Sequence, residues 1–297
     1  MADWDDMRVF LAVARGESLS RAGKILKCDA ATVGRRIARL EEELGMRLFT
    51  RSPQGYALTD DGARLMPHAQ VIEAEMARAQ DALAGPGAGI AGQIRLGAPD
   101  GCASYLLPPV VAAICAANPG LEVQIVALPR VFNLSRREAD MAIAVSPPAQ
   151  GRLLVQKIGD YRLHLAASDA YLTAAPPLKA LADLPRHRMI GYIPDMIFDP
   201  ELDYLSGLGI ESPPLASNAI AVQLALIGQG AGLGVVHDFA LPFAPGVRRV
   251  LVGDFSLIRS FHLIRHADDR SVPRLARFAT ALVTGLRREL ARLERAD

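Results

Sequence analysis

The sequence predicts a multidomain chain: an all-α N-terminal domain with a small β wing, a long linker helix, and a two-lobed α/β C-terminal domain. Three observations predict it. Between Ser18 and Arg51 apolar residues recur at helical spacing, with arginines off the apolar stripe. From Leu65 to Leu83 apolar residues follow alternating steps of four and three. From Gly92 onward, short apolar runs of strand type alternate with helical segments. At 297 residues, 51% of them apolar, the chain is long enough to bury the cores of two or three domains.

Asp3 is placed to cap a first helix running to about Arg15, with Met7, Phe10, Leu11 and Ala14 on its inner side and Trp4, the only tryptophan, packing its start. Ser18 caps a second helix, from about Leu19 to Lys27, which carries Ala22, Ile25 and Leu26 toward the same core. After a brief turn at Cys28 and Asp29, a third helix puts Val33, Ile37, Leu40 and Leu44 on one stripe, with Asp29 as its N-cap and Gly45 as its stop. A basic face opposite an apolar stripe is by itself an ordinary solvated helix surface. The short helix and turn before it are what point further. Together they make a helix-turn-helix, whose second helix can enter the major groove of DNA. Leu48 and Phe49 then lead through the turn-rich Thr50–Tyr56 to Ala57-Leu58-Thr59, a small β wing.

The net charge of +1 is low for a nucleic-acid binder, so charge must act locally. Asp3, Asp5 and Asp6 at the chain start and Glu41, Glu42 and Glu43 at the far end of the third helix leave Arg35, Arg36 and Arg51 as a confined basic patch. Cys28, Cys102 and Cys115 show neither metal-ligand spacing nor an even disulfide framework, which suits a reducing cytosol and makes Cys102 a semi-buried thiol rather than a redox sensor. The first residues are acidic and lack an apolar core segment, and Arg, Asp and Gly interrupt every candidate membrane run. The expectation is a cytoplasmic protein with no membrane, metal or cofactor.

Ser18, Ala22, Leu26, Val33, Arg35, Ile37, Leu40-Glu41, Leu44-Gly45, Leu48-Phe49, Arg51, Leu58-Thr59 and Gly62 form a pattern that resembles the LysR-type transcriptional regulators. Fewer fixed residues extend it: Leu106-Leu107-Pro108, Asn118-Pro119, Ala139–Ile143 and Gly230–Gly234. The resemblance implies a winged helix-turn-helix DNA-binding domain over 1–60, a dimerising linker helix and hinge over 61–90, and a periplasmic-binding-protein-like effector domain over 91–297. In that domain one lobe would hold about 91–161 and 267–297, the other about 162–266. Implied partners are double-stranded DNA, a second copy or three further copies of the chain, RNA polymerase and a small-molecule effector. One departure matters: Asp29-Ala30-Ala31 stands where the family often has Ser-Gln-Pro, and Gly34 where Ser is common. With no Gln to pair with adenine, Thr32 and the arginines carry the base reading. Ser18, Ser20, Ala30, Thr32, Arg35, Arg36 and Arg51 are the DNA-contact candidates, the serines and Arg51 toward phosphate.

Thr59-Asp60-Asp61 opens the linker helix, and Pro67 should kink or restart it, since an interior proline costs roughly 3 kcal/mol. Leu65, Ala69, Ile72, Met76, Ala79 and Leu83 form its heptad seam, the expected dimer contact, and Gly85-Pro86-Gly87-Ala88-Gly89 ends it as a hinge. Beyond lie expected strands at 93–97, 122–128, 141–145, 163–167, 189–192, 234–236, 247–252 and 260–265. Expected helices run from about Tyr105 to Ala117, from Ser217 to Ile227 and from Pro273 to Leu293, with a short one between the strands at 122–128 and 141–145. The strand crossings between lobes fall near Tyr161 and His266.

Such lobes leave a cleft at the carboxyl ends of their strands. Asp100, Cys102 and Ser104 follow its first strand, Arg130 and Phe132 its second, while Tyr192, Ser217, Asn218 and His237 line the second lobe. Helix starts near Ser104 and Ser217 suit an anion. Arg130 argues for an acidic effector and Asp100 against one, unless Asp100 merely caps a helix. The competing reading is an enzyme using His164, His187, His237, His262, His266 or Cys102, but no Gly-x-Ser-x-Gly, phosphate-binding Gly-Lys or His-x-x-x-His pattern supports it. A third reading is a DNA-bound scaffold that no ligand controls.

Overall fold

The computed structural model describes residues 3–52, 55–83, 89–127, 139–148, 151–267, 269 and 272–295, and it divides into two compact units. The first unit opens with α1 (Trp4–Gly16), α2 (Leu19–Leu26) and α3 (Ala30–Leu44). Local side chains fix their ends. Asp3 accepts from the Asp5 amide, Ser18 from Arg21 and Asp29 from Thr32, and Gly45 closes α3 in the left-handed region at φ 65°. Phe10, Leu11, Val13, Ala22, Val33, Ile37, Leu40 and Leu48 form the core, each large side chain contributing about 1.5–3 kcal/mol by leaving water. Ile25 does not join them and is 66% exposed. The inner side of α2 is filled by Leu19, Ala22, Gly23 and Leu26. Gly23 makes the short turn possible, since a Cβ there would stand 2.5 Å from the Cys28 carbonyl oxygen.

The wing is an antiparallel hairpin of β1 (Phe49–Ser52) and β2 (Gly55–Leu58), paired from Phe49↔Leu58 to Ser52↔Gly55. Phe49 ties it to α1, its ring 5.3 Å from Phe10 and 6.1 Å from Tyr56. The helix α4 (Asp60–Leu83) follows, with Thr59 Oγ1 accepting the Gly62 N–H and donating to the Arg47 carbonyl at 2.6 Å. It continues through Pro67 as one helix, so the expected restart does not occur. Pro67 faces solvent while Ala69 is buried and Leu65 half-buried on either side, so packing holds the turns that flank the missing backbone bond. Arg15 clamps α4 to α1 through Glu73, at 3.0 and 2.6 Å.

The second unit contains, in order, β3 (Gly92–Ala98), α5 (Asp100–Tyr105), α6 (Leu107–Ala117), β4 (Leu121–Ala127), β5 (Met141–Ala144), β6 (Leu153–Ser168), α7 (Asp169–Ala174), β7 (Met189–Gly191), β8 (Leu215–Ala216), α8 (Ile220–Gly228), β9 (Leu233–His237), β10 (Val247–Arg249), β11 (Ser256–His266) and α9 (Pro273–Leu293). The sheet order is β4-β3-β5-β11-β6-β9-β7-β8, with β10 on β6. At one end β4, β3 and β5 are parallel; at the other β9, β7 and β8 are parallel. The antiparallel pair β6 and β11 joins the ends. Between the last contact of β5, at His262, and the first of β9, at Leu163, the residues Gly159–Arg162 pair with Phe261–Ile258 and, among the described residues, with no third strand. This two-strand neck precedes His266, the expected second crossing. Arg287 of α9 braces it, donating to the carbonyls of Ile158 and Lys157 at 2.8 Å each.

Several elements differ from expectation. β6 starts at Leu153 rather than Leu163, α8 at Ile220 rather than Ser217 and β11 at Ser256 rather than Ser260, β10 ends at Arg249, α7 and β8 have no expected counterpart, and the helix expected from Tyr105 starts at Leu107, with Pro108 in its first turn and the separate helix α5 ending at Tyr105. The expected hinge glycines lie largely, and the short helix after Leu128 entirely, outside the described residues.

Candidate DNA-reading face and interlobe site

α3 is held by its stripe, so its other faces are free to present side chains. Thr32 Oγ1 donates to Asp29 at 2.8 Å and accepts from Arg35 at 3.0 Å, a chain that fixes the exposed Arg35 guanidinium over the first turn of α3. The Thr32 amide and hydroxyl hold the Asp29 carboxyl below its usual range. Arg36 lies partly buried with its guanidinium 3.5 Å from Asp5 of α1, a partner that Arg35 does not share. Arg39 is likewise bidentate to the fully buried Asp6, both contacts 2.6 Å.

Ser18, Ser20, Ala30 and Arg51 are brought together. With Arg21, Gly55 and Tyr56 they line a concavity of ≈ 540 Å³ between the start of α2 and the wing. Hydroxyls, a helix start and a guanidinium there suit a phosphate oxygen. The wing is seated by a close approach: Tyr56 N–H donates to the Glu17 carbonyl at 2.9 Å, and a Cβ at Gly55, whose φ is 133°, would stand 2.4 Å from that oxygen. Sequence reasoning missed Glu41. It is buried beneath the wing, with Oε1 accepting from Leu48 N–H at 2.8 Å and Phe49 N–H at 3.2 Å and Oε2 pairing with Arg47 at 3.0 Å. A Glu followed by an Arg before two buried apolar residues was the available signal.

The expected dimer seam splits. Leu65 and Ala69 pack into the core of their own unit, whereas Ile72 and Met76 are 41% and 42% exposed and Ala79 is exposed. The Leu83 side chain lies outside the described residues.

In the second unit, Asp100, Cys102, Tyr192, Ser217 and His237 come to where α5 meets α8 and the neck: Gly101 faces His237 and Ile220, His237 stacks on Tyr161, and the Ser217 N–H donates to the Gly191 carbonyl, beside Tyr192, at 3.0 Å; Asn218 stands two residues before α8. Ser104 does not: it is exposed near the end of α5, because that helix starts at Asp100. Arg130 and Phe132 lie outside the described residues. Asp100 caps a helix, though not its own, for its Oδ2 accepts the Ala221 N–H of α8 at 3.2 Å. Ser217 Oγ accepts from the Ala219 amide at 3.1 Å. His237 stacks on Tyr161 at 5.4 Å and meets Phe239 at 4.9 Å and Tyr204 at 5.8 Å; burial pushes its pKa down to about 3, so the ring is neutral. Burial also raises the Cys102 thiol and the Tyr192 and Tyr204 hydroxyls, which keeps all three protonated. A buried protonated thiol is a poor nucleophile. Among the described residues no group of His, Cys, Asp and Glu could hold a metal ion, and no helix is long and apolar enough to cross a membrane.

Comparison with known proteins agrees with this division. Residues 4–63 match the family model described as "Bacterial regulatory helix-turn-helix protein, lysR family", and residues 87–287 match "LysR substrate binding domain". The Mau operon transcriptional activator of Paracoccus denitrificans is 29% identical over 285 residues, covering 94% of each chain. Among solved structures, CrgA of Neisseria meningitidis, a LysR-type transcriptional regulator, aligns over 96% of this chain and 99% of its own at 24% identity and a TM-score of 0.59. A full-length OxyR variant from Pseudomonas aeruginosa covers 97% and 98% at 18% identity and a TM-score of 0.72. These relatives are regulators and not enzymes, and with the family models spanning both units the chain belongs to the LysR family of transcriptional regulators.

Proposed function

We propose that this regulator reads operator DNA in the cytoplasm through the first turns of α3, with Thr32 and Arg35 at base edges and Ser18, Ser20, Ala30 and Arg51 along the phosphates. Arg36 contributes less, being paired with Asp5. Two copies join through the outer half of α4, by Ile72, Met76 and Ala79, and set paired recognition helices about one DNA turn apart, ~34 Å or a multiple of it. A small molecule at the interlobe site alters the spacing of the copies and hence the engagement of RNA polymerase. The observation that carries the DNA reading is the exposed Arg35 guanidinium, tethered through Thr32 to the helix cap.

The test is a titration of the full chain against DNA from upstream of its own gene, at several salt concentrations. Arg35→Ala should lose about 1–3 kcal/mol of specific affinity, as a bidentate base contact would. Arg51→Ala should weaken binding to all sequences alike and lower the salt slope by about 1. Wild-type affinity and salt slope in both variants would refute the assignment.

A further inference from the structure

The first turn of α5 meets the first turn of α8, and a carboxylate stands between them: Asp100 Oδ2 takes the Ala221 N–H at 3.2 Å. A helix start carries unsatisfied N–H groups and about half a positive charge, so this is where the seam would best hold a ligand's carboxylate. A side chain of the protein already occupies it. Three further observations concern the residues around this contact and between the lobes. His237 is 4% exposed, its Nε2 lies 3.4 Å from the Tyr204 hydroxyl while its Nδ1 has no partner, and its ring edge at Cε1 lies 3.7 Å from where a Cβ at Gly101 would stand, so a buried imidazole with one unused nitrogen packs beside the first turn of α5. The Ser146 hydroxyl, just beyond β5, donates to Asp199 in the other lobe at 2.9 Å, which presents a second carboxylate across the seam. Arg259, whose charge acts on the Tyr161 and Tyr204 rings, is paired with Glu201 at 2.6 Å.

We propose that Asp100 is the specificity-determining residue of the interlobe site. Its carboxylate stands in for a ligand's at α8, so the site refuses carboxylates and takes an effector that meets it with hydrogen-bond donors, an amine, amide or hydroxyl. An entering carboxylate would have to displace Asp100 and leave two like charges at one helix start, a repulsive element of the kind that sets specificity. The inference rests on the reading that this seam is the effector site.

The test is thermal unfolding of the full chain, followed by circular dichroism, in formate, acetate, or chloride of matched ionic strength. Wild type should gain nothing from formate or acetate beyond the chloride effect. Asp100→Ala should melt lower and regain about 2–4 °C in a saturable formate titration, as the small carboxylate refills the vacated place. Asp100→Asn, which keeps an acceptor oxygen, should melt in between. Where Asp100→Ala is too unstable to melt cooperatively, Asp100→Ser carries the same arms. Saturable stabilisation of the wild type by formate or acetate overturns the inference, as does an Asp100→Ala melt equal to wild type and blind to formate. Asn218→Trp, which sets a large ring two residues before α8, separates this inference from the reading beneath it. In a screen of metabolites, a carboxylate whose shift on wild type vanishes in Asn218→Trp overturns the role of Asp100 and keeps the site. A ligand whose shift survives in Asn218→Trp overturns the site itself.

Discussion

Glu41 supports the wing from below, and its removal makes a quantitative prediction. Glu41→Ala strands two buried donors, the amides of Leu48 and Phe49, and frees the exposed Arg47. An unsatisfied buried donor costs about 1–3 kcal/mol, so the first unit should lose about 2–5 kcal/mol, a large fraction of the roughly 5–15 kcal/mol typical of a whole domain. Glu41→Gln keeps an amide oxygen for both N–H groups and should lose about 1 kcal/mol. Trp4, the only tryptophan, packs against the core of this unit, so its fluorescence reports unfolding of that unit alone. In urea, with a slope of about 1–2 kcal/mol per molar for a unit of this size, Glu41→Ala should lower the Trp4 midpoint by about 2 M and Glu41→Gln by under about 1 M. A Glu41→Ala midpoint within about 0.5 M of wild type, or equal losses in both variants, would show that water satisfies those amides and that the wing is not hung on this carboxylate.

Two further outcomes follow from the geometry. Ile72→Asp with Met76→Asp places charge on the exposed half of α4 and should convert the assembly to monomers in analytical ultracentrifugation while the Trp4 midpoint holds; Leu65→Asp, in the core of its own unit, should do the reverse. Glu294 is half-buried and its pKa is raised to about 7, chiefly by desolvation. The folded chain therefore binds more protons than the unfolded one between the ordinary glutamate value and 7, and stability falls as pH rises through that window. Glu294→Gln should flatten that part of the melting-temperature profile relative to wild type, and an unchanged profile would refute the assignment.

What was legible in the sequence was what depends on near neighbours. Asp29, Ser18 and Gly45 marked helix ends because capping joins residues two to four apart, and α9 was read from Pro273 to Leu293 because its apolar stripe is unbroken. Partners far along the chain were hidden. Asp100 reads as a cap, but that it caps α8 depends on a contact across 121 positions. The first half of β6 was missed because Gln156, Lys157, Gly159 and Asp160 break the apolar alternation where that strand runs into the neck. Ile25 was misplaced because it was judged by local periodicity, and tertiary packing decided otherwise. The pairing of Arg36 with Asp5 was hidden in the same way, because that acid belongs to another helix.

The neck sets how the effector unit deforms. Among the described residues, what stiffens a broad sheet, neighbours on both sides of each strand, is absent over Gly159–Arg162 and its partners, so the lobes are coupled there by a ribbon that twists more readily than the sheets it connects. Strain imposed at either end concentrates in that ribbon, and Arg287 ties α9 to the two carbonyls, of Lys157 and Ile158, that lead directly into it. A torsion of one lobe against the other would therefore be passed to α9 through a single guanidinium.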